Sequence, residues 1–210
     1  MNIRRTIDID AWNRREIYRF FSGFSEPFYG IVAEVDVTHG YQTCRYDGTS
    51  FFVWYLHRSM LAVNALEAFR LRIADQSVVE YENIHASATI GREDGTFGFS
   101  FIEFDPDFDI FKQNAIRETD RVRNTGELFP PRNGQDCVHY SSLPWIRFTS
   151  LSHARHFGSG DSAPKISFGK VTEQVGRSVM PCSVHVHHAL VDGRDVGEYF
   201  RIFQHYLDKY

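Results

Sequence analysis

The stretch Val184-His185-Val186-His187-His188-Ala189-Leu190-Val191-Asp192-Gly193, near the end of the chain, decides the fold. Residues 183–187 alternate small or polar side chains with apolar ones, which is typical of a half-buried strand. Residues 196–207 place their apolar side chains along one stripe at helical spacing. We therefore predict a strand, a sharp turn and a helix, with His188 at the turn.

His188 has the chemistry expected of a proton-transfer group. The ordinary pKa of an imidazole lies close to physiological pH, and this one would be held between a strand and a turn. A pair of adjacent histidines is a weak signal, because one ring commonly packs in a strand while the other lies at the surface. A metal site is not expected: His187 and His188 point to opposite faces of a strand, and no cysteine or carboxylate lies at a zinc-ligand spacing from them.

The composition indicates one folded domain over residues 1–210. Apolar residues make up 42% of the chain and 19 residues are phenylalanine, which is enough for a core. The formal net charge of −4 gives no basic surface for nucleic acid. No apolar run is long enough to span a membrane, and no signal peptide is indicated. Cys44, Cys137 and Cys182 fit a reduced cytoplasmic protein better than a disulfide scaffold.

The rest of the chain alternates between helical and extended patterns. Helices are predicted over 11–21, 51–65 and 108–122, and strands over 30–37, 69–73, 78–81, 86–90, 96–104 and 166–171. Asp10 is expected to cap the first helix, and Thr49 or Ser50 the second. Residues 40–48 are expected to form a polar loop, and residues 75–77 a turn between two strands.

Three motifs resemble those of a known family. The pattern His-His-x-x-x-Asp-Gly at 187–193 resembles the active-site signature of the CoA-dependent acyltransferases, which include chloramphenicol acetyltransferases, dihydrolipoamide acyltransferase cores and condensation domains of peptide synthetases. The patterns Trp-x-Arg-Arg-Glu at 12–16 and Ser-x-Leu-Pro-Trp at 141–145 resemble the chloramphenicol acetyltransferases specifically. The chain is thus identified as a member of that family over essentially its whole length.

The resemblance implies an α/β fold, an α+β two-layer sandwich in which a mixed sheet carries helices on one face. It implies a homotrimer with active sites at the interfaces between subunits. The expected reaction is acetyl transfer from acetyl-CoA to a hydroxyl of chloramphenicol, the chemistry of antibiotic resistance. The co-substrate is acetyl-CoA, no metal is needed, and the expected location is the cytoplasm.

Four residues take roles in the reaction by resemblance. His188 is the general base, and Ser141 stabilises the oxyanion of the tetrahedral intermediate, a contribution of roughly 2.7–4 kcal/mol. Arg14 and Asp192 are expected to form a buried ion pair that supports the turn. Breaking such a pair costs roughly 3–5 kcal/mol, because one charge stays buried without its partner.

The same resemblance assigns the binding residues. Acceptor contacts are expected from Phe21, Phe99, Phe101, Phe129 and Ser167, and a CoA phosphate contact from Lys170. A stripe of phenylalanines is also what a core requires, and Lys170 fits an ordinary edge lysine equally well. The chain departs from the family pattern at Phe21, Ser50, His139 and His185; at position 50 many members carry a lysine that contacts the cofactor.

Two alternatives stay open from the sequence. One is a related acetyltransferase that acts on another small alcohol or thiol, as dihydrolipoamide acyltransferases do. The other is a non-catalytic trimeric binding protein on the same fold. Intact His188, Ser141, Asp192 and Arg14 favour an enzyme over the second alternative.

Overall fold

The computed structural model describes residues 2–74, 77–132, 134–155 and 160–209. The strands are β1 Ile3–Ile7, β2 Phe28–Asp36, β3 Leu71–Ala74, β4 Ser77–Tyr81, β5 His85–Gly91, β6 Phe97–Phe99, β7 Cys137–Ser142, β8 Lys165–Phe168, β9 Thr172–Gln174 and β10 Arg177–His187. The helices are α1 Arg15–Ser22, α2 Thr38–Asp47, α3 Phe51–Ala65, α4 Glu67–Arg70, α5 Phe108–Asn124 and α6 Gly193–Leu207. Of the turn predicted at 75–77, residues 75 and 76 lie outside the described residues.

The main sheet is mixed, and β10, with 11 residues, is its longest described strand. Its strands run in the order β2-β10-β8-β7-β5-β6, with β9 paired to β10. The β5–β7 and β7–β8 pairs are parallel, whereas β10 is antiparallel to β2 and β8. The register sets Ser141 beside Ser167 and Ser167 beside Ser183, so that three serines form one row across β7, β8 and β10. A separate antiparallel sheet contains β1, β4 and β3.

One face of the main sheet carries the hydrophobic core. The core-facing residues are Val138, Tyr140, Ile166, Phe168, Val184 and Val186, all buried. Helix α3 packs against α5 and α6. In addition, α5 contacts β5, and α6 contacts β2. The predicted two-layer α/β arrangement, a mixed sheet with helices on one face, is confirmed. No helix within the described ranges combines the length and apolarity needed to cross a bilayer.

The two helices that frame the site begin at capping residues. Ser50 accepts a hydrogen bond from the backbone N–H of Val53 at 3.5 Å at the start of α3. Asp192 accepts from the N–H groups of Arg194 and Asp195 at the start of α6, and the Asp195 carboxylate accepts from the N–H of Asp192. This reciprocal arrangement satisfies donors that the helix leaves unpaired, and it pins the turn that follows β10.

The predictions for residues 40–48 and for Asp10 were wrong. Residues 40–48, predicted as a loop, belong mostly to α2, in which Gly40 lies against the indole of Trp54; an added Cβ would sit 2.0 Å from that ring. The glycine therefore reflects close packing and not a loop. Asp10 does not cap α1, which begins at Arg15; the Asp8 carboxylate accepts the N–H of Asp10, and Asp10 pairs with Arg19 at 2.8 Å.

Candidate active site

His188 lies in the turn between β10 and α6 and is held by rings on two sides. Its backbone N–H donates to the carbonyl of Pro27 at 2.8 Å. Its imidazole stacks on Phe21, with ring centroids 3.9 Å apart and planes 9° apart, and lies 4.5 Å from the Tyr29 ring. Nδ1 is buried and has no hydrogen-bond partner among the described residues, although the residue as a whole is only partly buried. The stacking fixes the plane of the ring.

Arg14 lies directly against the carboxylate that caps α6. Its Nη1 donates to Asp192 Oδ2 at 2.7 Å and lies 3.9 Å from Asp195 Oδ2. Burial acts to raise the pKa of Asp192, but the hydrogen bonds from Arg14 and from the helix N–H groups outweigh it and hold that pKa below its ordinary value. This contact ties α1 to the turn that carries His188.

The Arg14–Asp192 pair is less buried than the sequence suggested. The side chain of Arg14 is 17% exposed and that of Asp192 is 36% exposed. Water therefore screens the pair, and the expectation of a fully buried pair is corrected. We put the cost of breaking it at about 1–2 kcal/mol, between the values for exposed and buried pairs.

Ser141 lies on the face of the main sheet opposite the hydrophobic core. Side chains alternate along a strand, so residues 139 and 141 of β7 share this face with 165 and 167 of β8 and 183 and 185 of β10. The row of Ser141, Ser167 and Ser183 is followed by a row of His139, Lys165 and His185. We call these two rows the polar face. Ser167, Ser183 and Lys165 are buried.

The pKa values of the histidines and the lysine on and beside the polar face are shifted in the direction that favours their neutral forms. Burial lowers the pKa of His139 to about 4, with a further contribution from the positive charge of Lys165. Burial, with His185 and Lys165 nearby, likewise lowers the pKa of His153 to about 4. Burial also lowers the pKa of Lys165, although its Nζ donates to Asp161 at 2.5 Å. At neutral pH these histidines therefore act as uncharged hydrogen-bonding groups.

Two residues that contact the polar face, His153 and Gly30, were not singled out from the sequence. The ring of His153 meets that of His185 edge-on at 4.8 Å, and its Nε2 lies 3.4 Å from Ser167 Oγ. His185 lies over Gly30 of β2, where an added Cβ would sit 2.3 Å from Nε2. The spacing of a glycine and a histidine 155 residues apart gives no signal of this contact; only the strand pairing reveals it.

A cavity of about 410 Å³ opens beside His139 on the polar face. Its lining residues include Phe99, Phe129, Ser87, His139 and Asp161. The rings of Phe99 and Phe129 lie 5.7 Å apart. The structure thus brings two of the predicted acceptor residues together, two positions along β7 from Ser141. We call this space the acceptor cavity.

The other predicted acceptor residues lie elsewhere. Phe101 does not line the acceptor cavity: it is buried, with the guanidinium of Arg132 4.4 Å above its ring and His85 beside it. Phe21 lies against His188, at the other end of the sheet. Ser167 is next to Ser141, and its side chain is in contact with His153.

A second cavity, of about 790 Å³, lies on the opposite side of β7. It is bounded by the start of α3, one side of α5 and the segments after β7 and β8, and Lys170 is among its lining residues. Ser142 also lines it and shares a hydrogen bond with the hydroxyl of Tyr55 at 2.8 Å. Strand β7 therefore contributes Ser142 to this cavity and His139 to the acceptor cavity, with Ser141 between them. We call this second space the cofactor cavity.

The cofactor cavity is mainly apolar and has cationic side chains in its lining. Several separate segments bound it, and its lining is mainly aromatic and aliphatic with a few polar groups, as in most small-molecule sites. Lys170 supplies a positive charge suited to a phosphate group. Within the described ranges, no cluster of three or more His, Cys, Asp or Glu side chains is placed to hold a metal ion.

Within one chain the structure does not bring Ser141 and His188 together. Ser141 is in the row of Ser183, and His187 lies four residues further along β10. At about 3.3 Å per residue and about 4.8 Å per strand, Ser141 and His187, the neighbour of His188, are about 13 Å apart along β10 and about 10 Å apart across the sheet. A substrate bound at Ser141 is out of reach of His188 in the same chain.

Exposed aromatic side chains lie beside His188 and also beside the acceptor cavity. Phe20 and Phe24, in contact with each other and with Phe21, are 63% and 45% exposed beside His188. Phe97 and Phe129 are 49% and 58% exposed beside the acceptor cavity. Grouped apolar side chains at a surface commonly mark a contact with another protein.

Comparisons with known proteins show the family to which the chain is similar. The family model for chloramphenicol acetyltransferase matches residues 1–204. The chain is 26% identical over 206 residues to a chloramphenicol acetyltransferase of a Klebsiella species, covering 98% of this chain and 94% of the relative. It is 25% identical to a chloramphenicol acetyltransferase of Clostridium perfringens, covering 97% and 94%.

Solved structures give the same result for the fold. A chloramphenicol acetyltransferase superposes with a TM-score of 0.88 at 30% identity, covering 97% of this chain and 99% of that one. A probable dihydrolipoamide acetyltransferase from Listeria monocytogenes superposes with a TM-score of 0.67 at 13% identity, covering 94% and 92%, which is a likeness of fold alone.

Proposed function

Because the chain belongs to the chloramphenicol acetyltransferase family and is thus an acyltransferase, we propose that it transfers the acetyl group of acetyl-CoA to a hydroxyl of chloramphenicol. The product would be an O-acetylated antibiotic, and the biological result would be resistance. With acetyl-CoA as co-substrate, the protein would act in the cytoplasm.

His188 is the general base of this proposal. Stacking on Phe21 holds its ring, and because Nδ1 is buried we assign proton transfer to Nε2. Neutral Nε2 accepts the proton of the acceptor hydroxyl as that oxygen forms its bond to the acetyl carbon, and it later returns the proton to the departing sulfur. Acetyl-CoA, when bound in the cofactor cavity, supplies the activated acetyl group.

Ser141 is the oxyanion donor. It lies on β7 between His139, which lines the acceptor cavity, and Ser142, which lines the cofactor cavity. This position supports a role for its hydroxyl where the acetyl group meets the acceptor. A preplaced donor at this point lowers the barrier because negative charge builds up on the acetyl oxygen only as the reaction proceeds. Asp192 and Arg14 hold the His188 turn in position through their 2.7 Å contact.

We propose a homotrimer with shared active sites, and the separation of Ser141 and His188 within one chain supports the sharing. A head-to-tail ring lets one subunit present His188 to the acceptor cavity of the next subunit. The exposed aromatic side chains at both places, Phe20 and Phe24 on one side and Phe97 and Phe129 on the other, support this contact. The separation of Ser141 and His188 within one chain is the observation that carries the proposal.

The acceptor cavity also favours a second candidate substrate. His139 and Asp161 make part of its wall polar, opposite Phe99 and Phe129. A small alcohol or thiol richer in hydrogen-bonding groups than chloramphenicol fits such a wall, and the reaction would be unchanged. A trimer that binds without turnover is the remaining alternative.

The test is release of free CoA thiol from acetyl-CoA, with and without chloramphenicol, for the wild type and His188→Ala. We expect saturable, drug-dependent release that falls by about 10²–10⁴-fold in the variant, the usual contribution of a general base, with unchanged melting. Release that persists in a folded His188→Ala variant would contradict the assignment of the base. Release without drug dependence would move the acceptor to another alcohol or thiol, and binding without release would favour the non-catalytic alternative.

A further inference from the structure

The rim of the cofactor cavity carries a second cation besides Lys170. Arg123, in the last turn of α5, lines the cofactor cavity and also an adjoining polar groove of about 1200 Å³. Its side chain is exposed, and it makes no hydrogen bond or ion pair with any other described residue. Its neighbour Arg121, by contrast, is engaged by Glu118 and the carbonyl of Phe99. Arg123 is therefore a cation at the junction of the two spaces whose charge is available to a ligand.

The opposite wall of the cofactor cavity lacks a cation. Residue 50 is a serine, and its hydroxyl is already used to cap α3 through the N–H of Val53. The first turn of α3 contains no charged side chain, so only the weak positive end of the helix faces the cavity there. Any strong recognition of a phosphate must then come from Lys170 and from the α5 side.

From this arrangement we propose that Arg123 binds a phosphate group of CoA and supplies the positive charge that is missing at position 50. The inference rests on the proposed use of acetyl-CoA. The apolar part of the cavity suits the pantetheine arm, and the polar groove beyond Arg123 suits the nucleotide. Arginine is well matched to phosphate because its planar fork donates two hydrogen bonds at once.

Asp120 makes the proposal testable in both directions. It lies one helical turn before Arg123 and lines the same two spaces. Its negative charge opposes a phosphate at this place. Loss of the positive charge of Arg123 should therefore weaken binding, and loss of the negative charge of Asp120 should strengthen it.

The experiment is calorimetric titration of the full chain with CoA, 3′-dephospho-CoA and, by competition, pantetheine. The proteins are the wild type, Arg123→Gln, Asp120→Asn and the control Arg117→Gln. Arg117 is exposed on the same helix, contacts Asn114 and lines neither space. The control therefore removes the same charge without touching the cavity.

We expect Arg123→Gln to raise the Kd for CoA about fivefold, the effect of one exposed charge-assisted contact, and to leave pantetheine binding unchanged. Asp120→Asn should lower the Kd for CoA, Arg117→Gln should not change it, and the effect of Arg123→Gln should shrink at high salt. If the penalty disappears with 3′-dephospho-CoA, the contact is to the 3′-phosphate; if it persists, the contact is to the pyrophosphate.

Two results would overturn the inference: less than a twofold change for CoA in Arg123→Gln, or an equal change for pantetheine. Either of these leaves the proposed function intact, because the wild type still binds CoA. A wild type that binds no CoA at all would instead contradict the proposed function itself.

Discussion

The two faces of the main sheet are built from the same strands, but one face carries mainly apolar side chains and the other mainly polar ones. In β8, Ile166 and Phe168 face the helices, whereas Lys165 and Ser167 face the other way. In β10, Val184 and Val186 alternate with Ser183 and His185. All of these residues except His185 are buried, so burial by itself does not separate the two roles.

The difference shows where stability and chemistry reside in this molecule. On the helix face, buried apolar area stabilises the fold, and each side chain is replaceable only by one of similar volume. On the polar face, hydroxyl and imidazole groups lie close together and largely buried, where we expect them to add little stability and to be available to a substrate. A one-residue shift in register would exchange the two sets, so the period-two pattern fixes both at once.

The largest expected contrast in stability comes from two neighbouring residues of β8. Ile166 and Ser167 are both fully buried, on opposite faces. Ile166→Ala should lower the free energy of unfolding by about 2–5 kcal/mol through lost burial and a residual cavity. Ser167→Ala should lower it by less than about 1 kcal/mol, since the one hydrogen bond of its hydroxyl among the described residues is a 3.4 Å contact with His153.

Urea unfolding of both variants and of the wild type measures this contrast. Ser167→Ala should change the KM for the acceptor measurably, although it changes the free energy of unfolding little. Equal destabilisation by the two substitutions would mean that the polar face contributes as much to the free energy of unfolding as the helix face does. The proposed difference between the two faces would then be wrong.

A smaller effect is expected from acid. Burial depresses the pKa of His153 to about 4 in the folded protein, below its ordinary value near 6.5 when unfolded. The unfolded chain therefore binds more protons, and this histidine contributes stability that is present above about pH 6.5 and is lost as pH falls towards 4. Between pH 7 and pH 5 the loss should be about 1–2 kcal/mol.

His153→Gln should remove that part of the pH dependence, whatever it does to stability at pH 7. The control is His205→Gln, which changes an exposed histidine on α6. Urea unfolding of the wild type and of both variants at pH 7 and pH 5 gives three differences in free energy, one for each protein. A His153→Gln protein with the same loss between the two pH values as the wild type would show that the polar face does not hold this imidazole neutral.

The sequence predicted the elements whose local signals agree with their packing. Helix α3 begins after Ser50 and ends at Ala65 as expected, because a capping serine precedes a long apolar run. The turn at His188 and the helix after it were also predicted from the pattern at 183–207, and α6 begins at Gly193. Family motifs supplied the fold class, which the structure confirms.

Other features depend on contacts that no local pattern encodes. Gly40 resembles a loop residue until the Trp54 ring is seen against it. The strand predicted over 96–104 is shortened to Phe97–Phe99, with only an isolated bridge at Ile102, and this leaves Phe101 buried beside Arg132. The distance between Ser141 and His188 follows from strand order alone, so their roles stay predictions until two copies of the chain are tested together.

Complementation between two inactive variants tests the central claim most directly. Ser141→Ala and His188→Ala proteins are refolded separately and as an equal mixture, and CoA thiol release is measured. Each protein alone should be strongly impaired, Ser141→Ala by about 10²–10³-fold. If each site takes His188 from one subunit and Ser141 from the next, random mixing restores about one quarter of the wild-type activity. A mixture no more active than its two components would contradict a shared active site.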